Sequence, residues 1–394
     1  MSHVKNWIPV RMSRRDFLAR SSQAALLAVT ACSRYRQPSE AVAEETDLEA
    51  GIIKMMGDLR VPGLSIAVIQ KGAVEWRRAF GVRDGASGMP VDDDTLFEAA
   101  SMSKPVFAYA VMKLVEKGVL DLDRPLTEYI PERFVEGDPR LDLITARQIL
   151  CHTSGFQDIR SGENPLKIHF APGEQWQYSG EGYAYLQSVV TALTGRVDQS
   201  DCSSYEAELK VCGTDFDAYM KANLLMPLGM DSSTYVWDDA FSSHMARPHD
   251  DQGRPLTPGK SMAPDVARYG AMGGLLTTAT DYAKFLIEIS DPKPVDAFRL
   301  SEASIEEMLR PHVKVEDGPG YKISWALGWK IAQTEEFGEI VSHGGDQTGF
   351  HSLAEFSPEK MSGYVILTNG ENGWKLIQEL APGIARRVHS GFAG

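Results

Sequence analysis

Residues 98–118 read EAASMSKPVFAYAVMKLVEKG. From Pro105 onward the apolar side chains fall at 106, 107, 110, 111, 114 and 115, the period of a helix with one buried face. Ser101 and Lys104 stand three apart where this helix begins. That is nearly one turn, so both project from one face about 5–6 Å apart at Cβ. A helix amino end favours an oxygen anion through its dipole and its free N–H groups. A serine hydroxyl is a poor nucleophile until a base takes its proton, and a lysine is such a base only when burial lowers its pKa. Phe97, Ala99, Ala100, Met102, Val106 and Phe107 supply the apolar surroundings. The competing reading is a helix cap at Ser101 with Lys104 on a solvated face. The same spacing recurs at Ser2, Ser290 and Ser357, but only the copy at 101 opens an apolar helix after a strand region.

Upstream, GLSIAVIQ (63–70) and AVEWRRAFGV (73–82) are β-rich runs separated by Lys71 and Gly72, which predicts a hairpin. Downstream of Gly118 the chain is mostly helical or irregular to about residue 290. Within that tract TTATDYAKFLIEI opens with a capping signature, Thr278 three before Asp281. From about 321 strands return in ISWALGWKIA, GEIVSHGG, HSLAEFSP and MSGYVILTN, and WKLIQELAPGIARRV closes the chain as a helix interrupted by Pro382. Strands at both ends with helices between predict an α/β (α+β) fold. One antiparallel sheet is built from both termini and flanked by helices, and it carries an inserted, mostly helical domain. The expected boundaries are 48–104 with 291–394 for the sheet domain and 105–290 for the insert.

At 394 residues, with 43% hydrophobic and 24% charged residues, the chain is globular and long enough for a large core. Residues 1–31 read as an export signal. Lys5, Arg11, Arg14, Arg15 and Arg20 precede an apolar run, Ala24–Ala31, too short to span a bilayer. SRRDFL (13–18) resembles a twin-arginine signal. VTAC (29–32) resembles a bacterial lipobox, implying cleavage before Cys32 and lipidation of its thiol. The expected location is the periplasmic side of a bacterial envelope, with membrane contact through a lipid anchor only and residues 32–47 as a tether. Removing residues 1–31 takes away five basic residues and one Asp, so the formal charge of −14 becomes −18. So acidic a chain is disfavoured as a nucleic-acid binder. Of the four cysteines, Cys202 and Cys212 bracket DCSSYEAELKVC and form a candidate disulfide in an oxidising compartment, while Cys151 reads as a small buried hydrophobe. No CxxC pair or HExxH occurs, so no metal is signalled and no organic cofactor is implied.

Five stretches in order, FEAASMSKP, ITARQILCHTSGF, PGEQWQYSGEGYAYLQSVV, AMGGLLTTATDYAKF and SHGGDQTGFHSLAEF, make residues 48–390 resemble the β-lactamase-related serine hydrolases. These comprise class C β-lactamases, D-alanyl-D-alanine carboxypeptidases and esterases on the same fold. The resemblance implies Ser101 as the acylated nucleophile, Lys104 as its activating partner and Tyr178 as a proton shuttle. It implies His343 and Gly345 as a substrate-binding strand, and an oxyanion hole from the backbone N–H groups of Ser101 and Asp346. A phenol ionises near pH 10, so Tyr178 is expected to need the Lys104 cation beside it. Two positions depart from the family pattern. Gly180 stands where Asn is usual, and His343 replaces Lys with a weaker, pH-dependent charge. Both weaken the expectation of β-lactam hydrolysis.

Other residues read plainly. His152 is expected to organise a loop by hydrogen bonding and His351 to serve structure or substrate contact, while Trp176, Trp325 and Trp329 suit core or cleft walls. GRPLTPGKS (253–261) has five residues between its glycines where a phosphate loop needs four, and no GxSxG occurs. The expected function is acyl transfer on a small-molecule or peptide substrate with an ester or amide bond, the enzyme being an esterase or D-Ala-type peptidase. The competing expectation is a non-catalytic protein that binds cell-wall peptides in the same cleft. Substrate choice falls to cleft walls from 156–171 and 236–270.

Overall fold

The computed structural model describes residues 38–130, 133–160, 165–195, 205–206, 211–236, 243–256, 266–293 and 296–390. The signal, Cys32 and Cys202 lie outside the described residues, and with them the lipidation site and one partner of the candidate disulfide. Cys151 is a buried free thiol.

The chain enters through helix α1, Pro38–Leu59, so residues 38–47 are helical rather than a tether. EAVAEE is rich in strong helix formers, which outweighs its polar composition. The first strands are β1 Gly63–Gln70, β2 Ala73–Asp84, β3 Met89–Pro90 and β4 Phe97–Glu98. Helix α2, Ser103–Glu116, and helix α3, Gly180–Thr194, follow. A short ribbon pairs β5 Tyr205–Glu206 with β6 Val211–Cys212. Helix α4, Val266–Gly273, leads to β7 Leu276–Thr277, which pairs with β4, and to helix α5, Ala279–Ser290. Strands β8 Val313–Gly318, β9 Tyr321–Trp325, β10 Lys330–Thr334, β11 Gly338–Gln347, β12 Phe350–Ser357 and β13 Ser362–Thr368 end in helix α6, Gly373–His389.

Nine strands form one antiparallel sheet in the order β3-β2-β1-β13-β12-β11-β10-β9-β8. Chain ends meet at its centre, where Leu64 faces Thr368 and Ile69 faces Gly363. The β1–β2 hairpin turns on Lys71 and Gly72, whose φ values of 53° and 73° fit a two-residue turn twisted with its strands. Alternation along β1 sends Leu64 and Ile66 to one face and Ala67 and Ile69 to the other. The first face buries Ile52 and Met56 of α1 and Leu376, Leu380 and Ile384 of α6. The second buries Val106 and Phe107 of α2 and Phe285 and Leu286 of α5. Both faces of the central strands are therefore covered.

Two elements differ from the sequence expectation. ISWALGWKIA is two strands, β9 and β10, folded back over Ala326–Trp329. Gly328 there has φ 85°, and a Cβ would lie 2.9 Å from that of Ala108, so the reversal depends on glycine. Helix α6 runs on through Pro382 without a break, carried by its buried apolar stripe.

Candidate active site

Ser101 occupies a 3-10 turn, Ala100–Met102, that runs directly into α2. Ala100 is held at φ 48°, a left-handed conformation that costs an Ala about 1–2 kcal/mol. Neighbours over-determine this turn. The Ser103 hydroxyl donates to Ala100 O at 2.7 Å and accepts from Leu275 N at 2.9 Å. Tyr282 donates to Met102 O at 2.9 Å, and Ser352 donates to Ala99 O at 2.9 Å. Strand β11 passes so close that a Cβ on Gly345 would lie 2.2 Å from both Ala99 O and Ser352 Oγ. Only glycine lets the sheet edge approach the serine turn this closely.

Lys104 is 1% exposed. Its Nζ lies 3.0 Å from Ser101 Oγ and donates to Met272 O at 2.6 Å. The same nitrogen sits over the rings of Tyr178 and Tyr183, 4.8 and 5.5 Å from their centres. Loss of water on burial lowers its pKa to about 7, against the pull of Asp158, which favours the ammonium. Near neutral pH a large fraction of Lys104 is therefore a free amine beside the serine hydroxyl.

The Tyr178 phenol is hydrogen-bonded to Ser101, and burial, with the charges of Asp158 and Asp346, holds its pKa well above 10. It stays protonated, which corrects the expectation that the Lys104 cation lets it ionise. His343, on β11, binds Gly344 O through Nδ1 at 2.8 Å, and its pKa falls to about 3 because it is buried beside Lys104. It carries no charge at neutral pH, which corrects the expected positive charge there. The residue three beyond it, Asp346, is exposed and directly faces His351 of β12, whose Nδ1 approaches Asp346 Oδ1 at 3.1 Å.

His152 organises the Tyr178 loop, as expected of it. Its Nδ1 accepts from Ser179 N at 3.1 Å and its carbonyl accepts from Gln177 N at 2.8 Å. Its ring lies 4.2 Å from the Tyr178 ring and 5.1 Å from that of Trp325. Trp325 in turn lies 5.6 Å from the His343 ring and 5.5 Å from Trp176, forming an aromatic wall of the site. Trp329 belongs to the core, packed on Phe285 and Phe356.

Gly180 is the first residue of α3, capped by Ser179. A Cβ there would come within 2.8 Å of Met272 Cε. Its N–H donates to Asp158, to the carbonyl at 3.0 Å and to Oδ1 at 3.0 Å. Asp158 and the carbonyl of Met272 are two site groups that no sequence pattern singles out. One lies in an unpatterned loop, and the other is a backbone atom. Among the described residues no group of His, Cys, Asp and Glu is arranged to hold a metal.

A broad antiparallel sheet covered on both faces, with a helix-borne serine and a buried lysine at one strand, defines the architecture shared by β-lactamases and penicillin-binding proteins. A family model, Beta-lactamase, matches residues 48–386, and the chain belongs to this family of serine hydrolases. It is 30% identical over 241 residues to "Esterase EstB" of Burkholderia gladioli, covering 53% of this chain and 56% of the relative. It is 22% identical over 355 residues to "Protein flp" of Staphylococcus aureus, covering 85% of this chain and 64% of the relative. The chain thus spans somewhat over half the length of these curated relatives. Among solved structures it resembles the octameric penicillin-binding protein homologue from Pyrococcus abyssi with a TM-score of 0.69, at 23% identity over 88% of this chain and 79% of that one. It also resembles a β-lactamase/D-alanine carboxypeptidase from Pseudomonas syringae with a TM-score of 0.67, at 20% identity over 86% of this chain and 98% of that one.

Proposed function

We propose that the protein hydrolyses an ester or amide through an acyl-enzyme on Ser101. The observation that carries this reading is the 3.0 Å contact between Ser101 Oγ and a buried Lys104 whose pKa is lowered to about 7. In the first step Ser101 Oγ bonds to the substrate carbonyl carbon while its proton passes to the Lys104 amine. The Tyr178 phenol, still protonated, donates toward the departing alcohol or amine and is re-protonated from Lys104. Water then attacks the acyl-enzyme, and a carboxylic acid leaves with Ser101 restored. The backbone N–H groups of Ser101 and Asp346 take the oxyanion role. Gly345 lets β11 close on the serine turn, in place of the room for substrate expected of it, and neutral His343 lines the cleft without charge. With Gly180 in place of Asn and no charged group at 343, β-lactam hydrolysis is weak or absent. The reading keeps the enzyme in a bacterial envelope, lipid-anchored at Cys32, with Cys202 and Cys212 disulfide-linked.

Intact mass after treatment with a fluorophosphonate tests it. One adduct on the wild type and none on Ser101→Ala, with both proteins melting within a few degrees of each other, is expected. A folded wild type that takes no adduct and releases no product from an activated ester returns the site to a peptide-binding role.

A further inference from the structure

The charges around Ser101 are unevenly signed. Lys104, the cation nearest the nucleophile, is spent on Ser101 Oγ and Met272 O. Arg160, the next basic residue along the cleft loop, is tied to buried Glu181 by a 2.9 Å ion pair through Nε and a 2.7 Å bond from its backbone N–H. His343 is neutral at working pH. Lys330 sits on the opposite face of the sheet, since its register partner is Ser342, which faces Glu355, and not His343. Against these stands Asp158. Its Oδ1 is fixed by the Gly180 N–H, and its charge is felt by both Lys104 and Tyr178. Burial raises its pKa, while Lys104 and the Gly180 amide oppose that rise. The residue as a whole is open to solvent. Oδ2 has no protein partner among the described residues.

We infer that Asp158 selects substrate by charge, accepting a cationic ammonium group next to the scissile carbonyl and excluding a carboxylate there. The carboxylate is held rigidly at one oxygen and offers the other to solvent, the arrangement of a recognition group and not of a structural ion pair. An anion in this position would meet the Asp158 carboxylate while Lys104 and Arg160 are already engaged, and like-charge juxtaposition is a means of rejecting a ligand. Amino-acyl or amino-alkyl esters and amides are therefore the substrate class, and peptides ending in a free carboxylate beside the cleaved bond are not. This inference rests on the hydrolase reading above.

The test compares kcat/KM for matched pairs of opposite charge. Phenyl alaninate and the phenyl half-ester of malonate put the charge on the acyl side. Aminoethyl acetate and carboxymethyl acetate put it on the alcohol side. In at least one pair the wild type is expected to prefer the cation by tenfold or more, Asp158→Asn to reduce that ratio at least fivefold, and Asp158→Lys to invert it. Fluorophosphonate labelling of each variant verifies that Ser101 remains reactive. Ratios that stay within twofold across all three proteins, or a wild type that prefers the anion in both pairs, overturn the inference. If the wild type turns over none of the four, the hydrolase reading fails on its own. Charge selection is then read from quenching of tryptophan fluorescence by alaninamide against malonamate. Equal binding of the two overturns it, and tighter binding of alaninamide that Asp158→Asn abolishes sustains it.

Discussion

Lys104 becomes a base because the fold removes water from it, and that has consequences on both sides of the active site's pH range. With its pKa at about 7, kcat/KM is expected to rise with pH through about 7 and then level off, as the amine form replaces the ammonium. His343 titrates near 3, so His343→Gln should leave that limb where it is. A limb that moves with this substitution would mean that His343, and not Lys104, sets the profile. The same shift weakens the fold. Lys104 binds its proton more weakly when folded than at its usual 10.5, so the unfolded chain holds more protons between about pH 7 and 10.5. Stability therefore falls as pH drops through that window, and the loss is complete below it. Lys104→Met should end turnover yet raise stability at pH 5 by on the order of 2 kcal/mol, read as a higher urea midpoint. A lower midpoint would show that its bond to Met272 O outweighs the desolvation. At this scale the sequence was informative where chemistry has a spacing. Ser101 and Lys104 announce themselves as SMSK at a helix start, whereas Asp158 stands in FQDIR with no pattern to distinguish it from any loop acid.

Elements hold these residues in place through a few buried polar bonds. The start of α2 is tied to the β7 region by one hydroxyl, Ser103, which accepts from Leu275 N and donates to Ala100 O. Ser103→Ala leaves the Leu275 N–H unpaired in a buried setting, at a cost of about 1–3 kcal/mol for such a group, while Ala100 O keeps only the Ser103 backbone N–H. It also frees the left-handed Ala100 to relax. The expected result is a lower urea midpoint together with a fall in kcat of tenfold or more, because Ser101 moves with its turn; a destabilised protein with unchanged kcat would make the bond purely structural. Element types were legible where local signals are strong. Lys71 and Gly72 mark the hairpin, and Thr278 caps α5 by accepting from Asp281 N at 3.1 Å, as its spacing predicts. The break between β9 and β10 was not, since Gly328 lies inside an apolar run and its need for glycine comes from Ala108, over two hundred residues away. Nor was α6 readable as continuous, because tertiary burial of its stripe outweighs the hydrogen bond lost at Pro382.

For the whole molecule the decisive feature is that the chain's first and last strands are neighbours. Ile66 of β1 faces Ile366 of β13, and both are fully buried between α1 and α6. The helical tract that supplies Tyr178 and Met272 packs on the other face of that sheet, through Phe285, Trp329 and Phe356. The serine turn itself is pinned by β11 and β12 through Gly345 and Ser352. Strands at both ends of the sequence foretold this joint sheet, though not the pairing of Ile66 with Ile366, which depends on register between segments far apart. Such a design predicts that the site and the sheet are lost together. Ile366→Ala removes a buried branched side chain on the face away from Ser101 and should destabilise by about 2–5 kcal/mol. The catalytic groups are untouched, so turnover at low temperature should stay near that of the wild type. On heating, loss of activity and loss of far-UV circular dichroism should both shift downward and remain coincident, because no part of the site survives opening of the central strands. Activity that disappears well before the sheet melts would show that the helical tract opens on its own, and that the site depends on its docking more than on the β1–β13 seam.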